Sequence, residues 1–216
     1  SKVAGKRKIV VCEGNFQREM LSKWDRKVFR GWIARTIYQM LKTFKRKELW
    51  LISDRLMKAD DNGEAFFTYM NTARKNDSIQ TYFVLEKSSV DYKRLKTIGN
   101  VVSYHSTKHK ILSLLCDKKI SSQADEYVYN RFFDLSFLYG DIQHKQKFVF
   151  LQHGVTINDS SMWLKKTDAN ISLFVTAAQP EYQSILDYAY GYEEKQITCT
   201  GFPRYDYLSA SSHKKK

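Results

Sequence analysis

Lys147-Phe-Val-Phe-Leu-Gln-His-Gly154 is a short apolar run that ends in Gln-His-Gly. A run of this length bounded by turn residues reads as a buried strand, and its tip delivers an imidazole, so His153 is the residue to account for. Working outward, Ile197-Thr-Cys-Thr-Gly-Phe-Pro-Arg-Tyr-Asp206 repeats the plan: a β-rich run stops at a Gly and a Pro, then presents Arg204 and Asp206. Upstream, strands are predicted at Leu49–Ser53, Thr81–Leu85, Val101–Tyr104, Lys119–Ser122, Phe148–Gln152, Leu173–Thr176 and Gln196–Thr200. Helices are predicted at Gly63–Arg74, Asp91–Lys96, Thr107–Cys116 and Pro180–Tyr190. In the last of these, Pro180 suits the first turn and Glu181 complements the helix dipole. Strands separated by helices predict an α/β fold with right-handed crossovers and a mostly parallel sheet, whose ligands gather beyond the carboxyl ends of the strands. Ser53-Asp54-Arg55, Ser121-Ser122, His153-Gly154 and Gly201 to Asp206 all fall at such ends.

The segment before this alternation is different in kind. Lys23 to Lys47 holds nine Lys or Arg against one acid, Asp25, and so carries +8 of the chain's net +13. Met20, Leu21, Trp24, Val28 and Trp32 form one apolar stripe, with Lys23, Arg26, Lys27 and Arg30 opposite. Ile33, Ile37, Met40, Leu41 and Phe44 form a second, rotated by about half a turn at ~100° per residue, with Gly31 at the switch. Two amphipathic helices, or one broken near Gly31, are expected. Their apolar faces either pack on the domain or lie on a membrane surface, and the basic residues suit an anionic partner. The chain thus divides into a basic amphipathic helical segment (1–47), an α/β domain (48–208) and a polar basic tail (209–216).

With 216 residues, 43% of them hydrophobic, the chain is long enough to bury a sizeable core. Cys12, Cys116 and Cys199 are far apart and odd in number, which indicates neither a disulfide framework nor a zinc site and fits a reducing, cytosolic setting. No run approaches the roughly 18 to 20 apolar residues of a spanning helix, so peripheral membrane contact is expected.

His153 at a strand tip suits a general base, since an ordinary imidazole titrates near ~6.5, and Gly154 lets the backbone approach an anion closely. The alternative is a histidine that caps the next segment. His105, His109, His144 and His213 read as surface or structural. Asp60, Asp61 and Asn62 suit a metal or a polyol, but their spacing matches no metal loop and a turn with a helix cap is the better reading; no metal is expected. Arg204 and Asp206 either hold a phosphate or pair with each other. Neither GxGxxG nor GxxxxGK[ST] nor GxSxG occurs, which argues against dinucleotide, P-loop and serine-hydrolase chemistry. No zinc, RNP or GXXG signature supports nucleic-acid binding, and none is expected.

Leu49-Trp-Leu-Ile-Ser-Asp-Arg55, Asp61-Asn-Gly-Glu-Ala-Phe-Phe67, Phe150-Leu-Gln-His-Gly-Val155, Trp163-Leu-Lys-Lys166 and Thr200-Gly-Phe-Pro-Arg-Tyr-Asp206 together resemble the CDP-glycerol glycerophosphotransferases that build teichoic acids. The resemblance runs from about Lys47 to Leu208. It implies the Rossmann-like, acceptor-side half of a GT-B fold, with CDP-glycerol or CDP-ribitol as donor, no cofactor, and a lipid-linked glycerol phosphate chain as acceptor. It makes His153 the base that deprotonates the terminal hydroxyl as CMP is expelled, with Gly154, Arg204, Asp206, Asp54 and Arg55 as substrate-binding candidates. It also implies peripheral attachment to the cytoplasmic face of the membrane, through Lys23, Arg26, Lys27 and Arg30. The chain stops soon after Gly-Phe-Pro-Arg, where a complete enzyme of this kind continues into its nucleotide-binding half, so the chain alone is expected to be inactive. The competing reading is a noncatalytic module that binds membrane or anionic polymer.

Overall fold

Seven apolar runs become seven strands: β1 Glu48–Ser53, β2 Ile79–Leu85, β3 Val101–Ser103, β4 Lys118–Ser121, β5 Lys147–Phe150, β6 Ile171–Thr176 and β7 Ile197–Cys199. The structure is a computed structural model. It describes residues 26–206 except 75, 126–127, 129–134, 157–158 and 167–170. A short strand that the run Ile9-Val-Val-Cys12 also allows, the residues Met20, Leu21, Lys23 and Trp24, and the tail 209–216 lie outside the described residues.

The strands form one sheet in the order β3-β2-β1-β4-β5-β6-β7, with every pair parallel, where the sequence suggested only a mostly parallel arrangement. The winding reverses between β1 and β4, whose ends lie side by side in register at Ser53 and Ser121. This is the switch point beside which ligands of α/β sheets collect. Alternate strand residues feed opposite faces. Ile52, Phe83, Leu85, Ile120 and Val175 pack with Phe67 of α2 (Asn62–Thr72) and Leu95 of α3 (Asp91–Lys96). Leu49, Leu51, Tyr82 and Val84 pack on Leu112 of α4 (Thr107–Leu115), and Phe148, Phe150 and Phe174 belong to the cluster that holds Ile185 of α7 (Gln179–Asp187). Among the described residues, two α-helices were not foreseen. Helix α5 (Ser136–Gln143) has no side-chain N-cap and carries Gly140, so its local signals are weak, and it is held by burial of Leu138, Tyr139 and Ile142. Helix α6 (Ser161–Leu164) is a single turn.

The basic segment departs from expectation in two ways. Residues 26–44 form one continuous helix, α1, which runs through Gly31 without a break. Gly31 marks a close approach instead: a Cβ there would stand 2.8 Å from Leu138 Cδ1, and Tyr139 Oη donates to the Gly31 carbonyl at 2.8 Å. Arg35 grips Asp141 through both terminal guanidinium nitrogens at 2.8 Å, and Lys45 donates to the Leu115 carbonyl at 2.8 Å. The second correction is to the faces. Val28, Gly31, Ala34 and Tyr38 turn towards α4 and α5, whereas Trp32, expected on one stripe with Val28, is exposed together with Phe29, Ile33, Met40, Leu41 and Phe44, and of the second stripe Ile37 is half-buried.

Candidate active site

At the switch point the chain supplies its own anions. Asp54, the first residue after β1, is fully buried, and its carboxylate accepts the N–H groups of Gly63 (2.8 Å), Glu64 (2.9 Å) and Asp61 (3.2 Å). Asp61 caps the same helix, accepting from the Asn62 N–H at 2.8 Å. The positive end of α2 is therefore met by two carboxylates. Gly63 is required by this closeness, because a Cβ there would fall 2.5 Å from Asp54 Oδ1 and 2.6 Å from the Ser53 carbonyl. Burial pushes the Asp54 carboxyl up to about 6, against the opposing pull of the neighbouring Ser122 hydroxyl and of the Glu64 and Gly63 N–H groups.

The second contribution comes from β5. The strand ends at Phe150, two residues earlier than predicted, and the Leu151 N–H adds one bond, to the Ser121 carbonyl at 2.8 Å. Gln152 follows with φ of 58°, in the left-handed region, and is buried. The backbone then turns outward, and His153 is exposed. A Cβ at Gly154 would meet nothing within 4 Å, so the chain's own packing does not demand glycine there, and the space beside it is open to a ligand.

The third element is the loop after β7. Gly201 takes φ of 78°, a conformation open to glycine, and turns the chain so that Arg204 reaches α2. Arg204 Nη1 donates to Asp61 Oδ1 at 2.9 Å, and the Arg204 N–H donates to Asn62 Oδ1 at 3.2 Å. The other end of the Asn62 amide donates to the Gln152 carbonyl at 2.7 Å. One buried side chain thus ties all three strand ends together. Burial raises the Asp61 carboxyl above the ordinary range, while the Asn62 N–H and the nearby Arg204 and His153 pull it back, which puts imidazole, guanidinium and carboxylate in one electrostatic neighbourhood.

A family model for CDP-Glycerol:Poly(glycerophosphate) glycerophosphotransferase matches residues 34–216. The chain belongs to that family. It is 45% identical over 184 residues to the Minor teichoic acid biosynthesis protein GgaB of Bacillus subtilis (strain 168), covering 85% of this chain and 20% of GgaB. Among solved structures it is similar to the Wall Teichoic Acid Polymerase TagF: one matches at TM-score 0.59 and 13% identity over 92% of this chain and 49% of that one. A second, soaked with CDPG, matches at TM-score 0.58 and 12% identity. The chain therefore spans a fifth of GgaB and about half of TagF, and its fold is one Rossmann-like half of a GT-B-like architecture.

Within this glycerophosphotransferase-family domain the candidates named from sequence separate. His153, Gly154 and Arg204 converge. Asp54 lies beneath the surface as an internal helix cap, with no exposed area for a substrate to touch. Arg55 is exposed and paired with Asp60 at 2.8 Å. Arg204 pairs with Asp61, not with Asp206 as the sequence alternative had it. Asp206 is exposed and borders a groove of about 870 Å³ that runs down the sheet face past Val149, Leu173 and Tyr69. Arg26, Lys27 and Arg30 are exposed on α1. Asn62, weighed from sequence as a metal or polyol ligand or part of a turn, Glu181, read there as complementing the helix dipole, and Gln152, given no role there, are structural parts of the site. Among the described residues, no group of three or more His, Cys, Asp or Glu is placed to hold a metal ion.

Proposed function

We propose that this domain forms the acceptor side of an enzyme that transfers an alditol phosphate, glycerol or ribitol, from its CDP derivative to the terminal hydroxyl of a lipid-linked teichoic acid chain. Membership of the glycerophosphotransferase family supports this reading, as do the roles of GgaB in minor teichoic acid biosynthesis and of TagF as a wall teichoic acid polymerase. The observation that carries it is the exposed His153, on the loop after β5 that Asn62 ties to Arg204, next to an open Gly154. His153 takes the hydroxyl proton, the oxygen attacks the β-phosphorus, the new O–P bond forms, and the bond to CMP breaks with its electron pair leaving on CMP. Arg204 places a cation within reach of the phosphate being transferred.

The test is CMP release from CDP-glycerol or CDP-ribitol with a lipid-linked glycerol phosphate acceptor, by a polypeptide that contains this chain. Loss of turnover in His153→Ala with the fold retained is the expected result; full turnover in that variant removes the proposed base.

The outward face of α1 favours a second part of the reading, attachment to the anionic cytoplasmic leaflet. Phe29, Trp32, Met40 and Phe44 are more than half exposed, and Arg26, Lys27 and Arg30 are exposed on the same helix. This pattern suits a helix lying in the membrane interface. No described helix is long and apolar enough to cross a membrane. Salt-sensitive sedimentation with phosphatidylglycerol vesicles tests this, and equal binding to neutral vesicles would count against it.

A further inference from the structure

We infer that Glu181, acting with Gln152, is a positioning residue for His153, an inference that rests on the reading of His153 as the base. An exposed imidazole on a loop has many orientations open to it, and proton abstraction requires one of them. Neither a strand nor a helix holds residues 152–156, so side chains must fix this segment.

The fixing groups are Gln152, Thr156 and Glu181. Gln152 Nε2 donates to the Val175 carbonyl at the end of β6 (2.7 Å) and to Glu181 Oε1 (3.1 Å), while its Oε1 accepts from Thr156 Oγ1 (2.8 Å). Glu181 Oε1 also accepts the Thr156 N–H at 2.7 Å, and Oε2 accepts the Ala177 N–H at 2.8 Å. Glu181 therefore bonds to the residue before His153 and to the residue three after it. From the opposite side Asn62 holds the Gln152 carbonyl. The loop is pinned at both feet while its middle, His153 and Gly154, reaches solvent.

A helix-stabilising role explains only part of this. An acid in the first turn of α7 complements the dipole from the surface, with no need of burial. Glu181 is instead 3% exposed, and two of these three bonds run to the loop that carries His153. Burying a carboxylate is costly without such partners, so the site spends it on loop geometry. The left-handed backbone of Gln152 fits the same role: a non-glycine residue keeps that conformation where surrounding bonds over-determine it.

Three variants test the inference. Glu181→Ala removes every acceptor. Glu181→Gln keeps volume and one carbonyl oxygen. Gln152→Gly adopts the left-handed φ freely but deletes the amide clamp, so it separates the clamp from backbone strain. In this chain, amide exchange at Thr156 is expected to speed up about tenfold or more in Glu181→Ala and Gln152→Gly, with Glu181→Gln in between. In a polypeptide that contains the chain and turns over, kcat is expected to fall about ten- to a hundredfold with KM for donor and acceptor nearly unchanged, and Glu181→Gln to recover part of it. Unchanged Thr156 exchange in Glu181→Ala, or full kcat in a variant whose loop exchange is fast, overturns the inference. Failure of the base reading shows differently, as turnover in His153→Ala while the exchange results stand.

Discussion

The side-chain amide of Asn62 donates to the main-chain carbonyl of Gln152 at 2.7 Å and accepts from the Arg204 N–H at 3.2 Å. A single buried residue at the first turn of α2 thereby sets the height of the His153 loop against the Gly201–Asp206 loop. Asn62→Ala leaves a buried carbonyl and a part-buried N–H without their partner, a loss of about 2 kcal/mol or more. Chemical denaturation is expected to register that loss, and CMP release is expected to fall with it. Asn62→Ala with unaltered stability would show that the loops are held by other contacts.

His153→Ala separates chemistry from folding. The side chain is exposed, so its removal is expected to shift stability by no more than about 0.5 kcal/mol while turnover is lost. Thermal unfolding and CMP release on the same sample read both outcomes.

Gly63→Ala reverses the usual preference. Helix propensity alone favours alanine by about 1 kcal/mol. The added methyl would meet Asp54 Oδ1 at 2.5 Å and the Ser53 carbonyl at 2.6 Å, and neither can retreat without disrupting the cap of α2. A net destabilisation of about 2 kcal/mol is expected. A denaturation midpoint equal to or above that of the parent chain would disprove the close approach.

Asp54 makes stability depend on pH in a definite direction. Its folded-state value, about 6, lies above the ordinary carboxyl range near ~3.9, so between these values the folded chain binds the extra proton. The contribution is present in full below the unfolded value and is lost as pH rises through about 6, on the order of 3 kcal/mol in all. Carboxyl-carbon NMR of Asp54 should show a midpoint near 6, and stability measured from pH 4 to 7 should contain a falling component that is missing in Asp54→Asn.

Helix α1 predicts a variant that binds membranes poorly but folds normally. Trp32→Glu with Phe44→Glu places charges on exposed positions, so thermal stability should hold while vesicle binding drops. Neutralising Arg26, Lys27 and Arg30 together should remove the salt-sensitive part, about 1 kcal/mol for each charge near the surface.

Much of this architecture was legible along the chain. The apolar runs at 49–53, 81–85 and 148–152 gave strands within a residue or two, and the strand-helix alternation gave a parallel sheet with His153 just beyond a strand end. Helix α5 was missed because its signals are not local: Gly140 and an uncapped start weaken it, and only packing of Leu138, Tyr139 and Ile142 makes it form. Gly31 was misjudged because a glycine that breaks a helix and one that admits a neighbour's side chain look alike in sequence. The distinction lies in Leu138, more than a hundred residues away.

The site divides in the same way. The sequence by itself determined which residue types stand at the strand ends, because apolar runs and the turns that follow them depend on neighbours within one element. Only the tertiary structure decided that Asn62 joins Gln152 and Arg204 across separations of 90 and 142 residues, that Asp54 serves the helix from beneath, and that Glu181 holds the His153 loop. Those pairings are fixed by the order and register of the whole parallel sheet, which brings distant strand ends to one edge and sets their hydrogen-bonding atoms within 3 Å or so of each other.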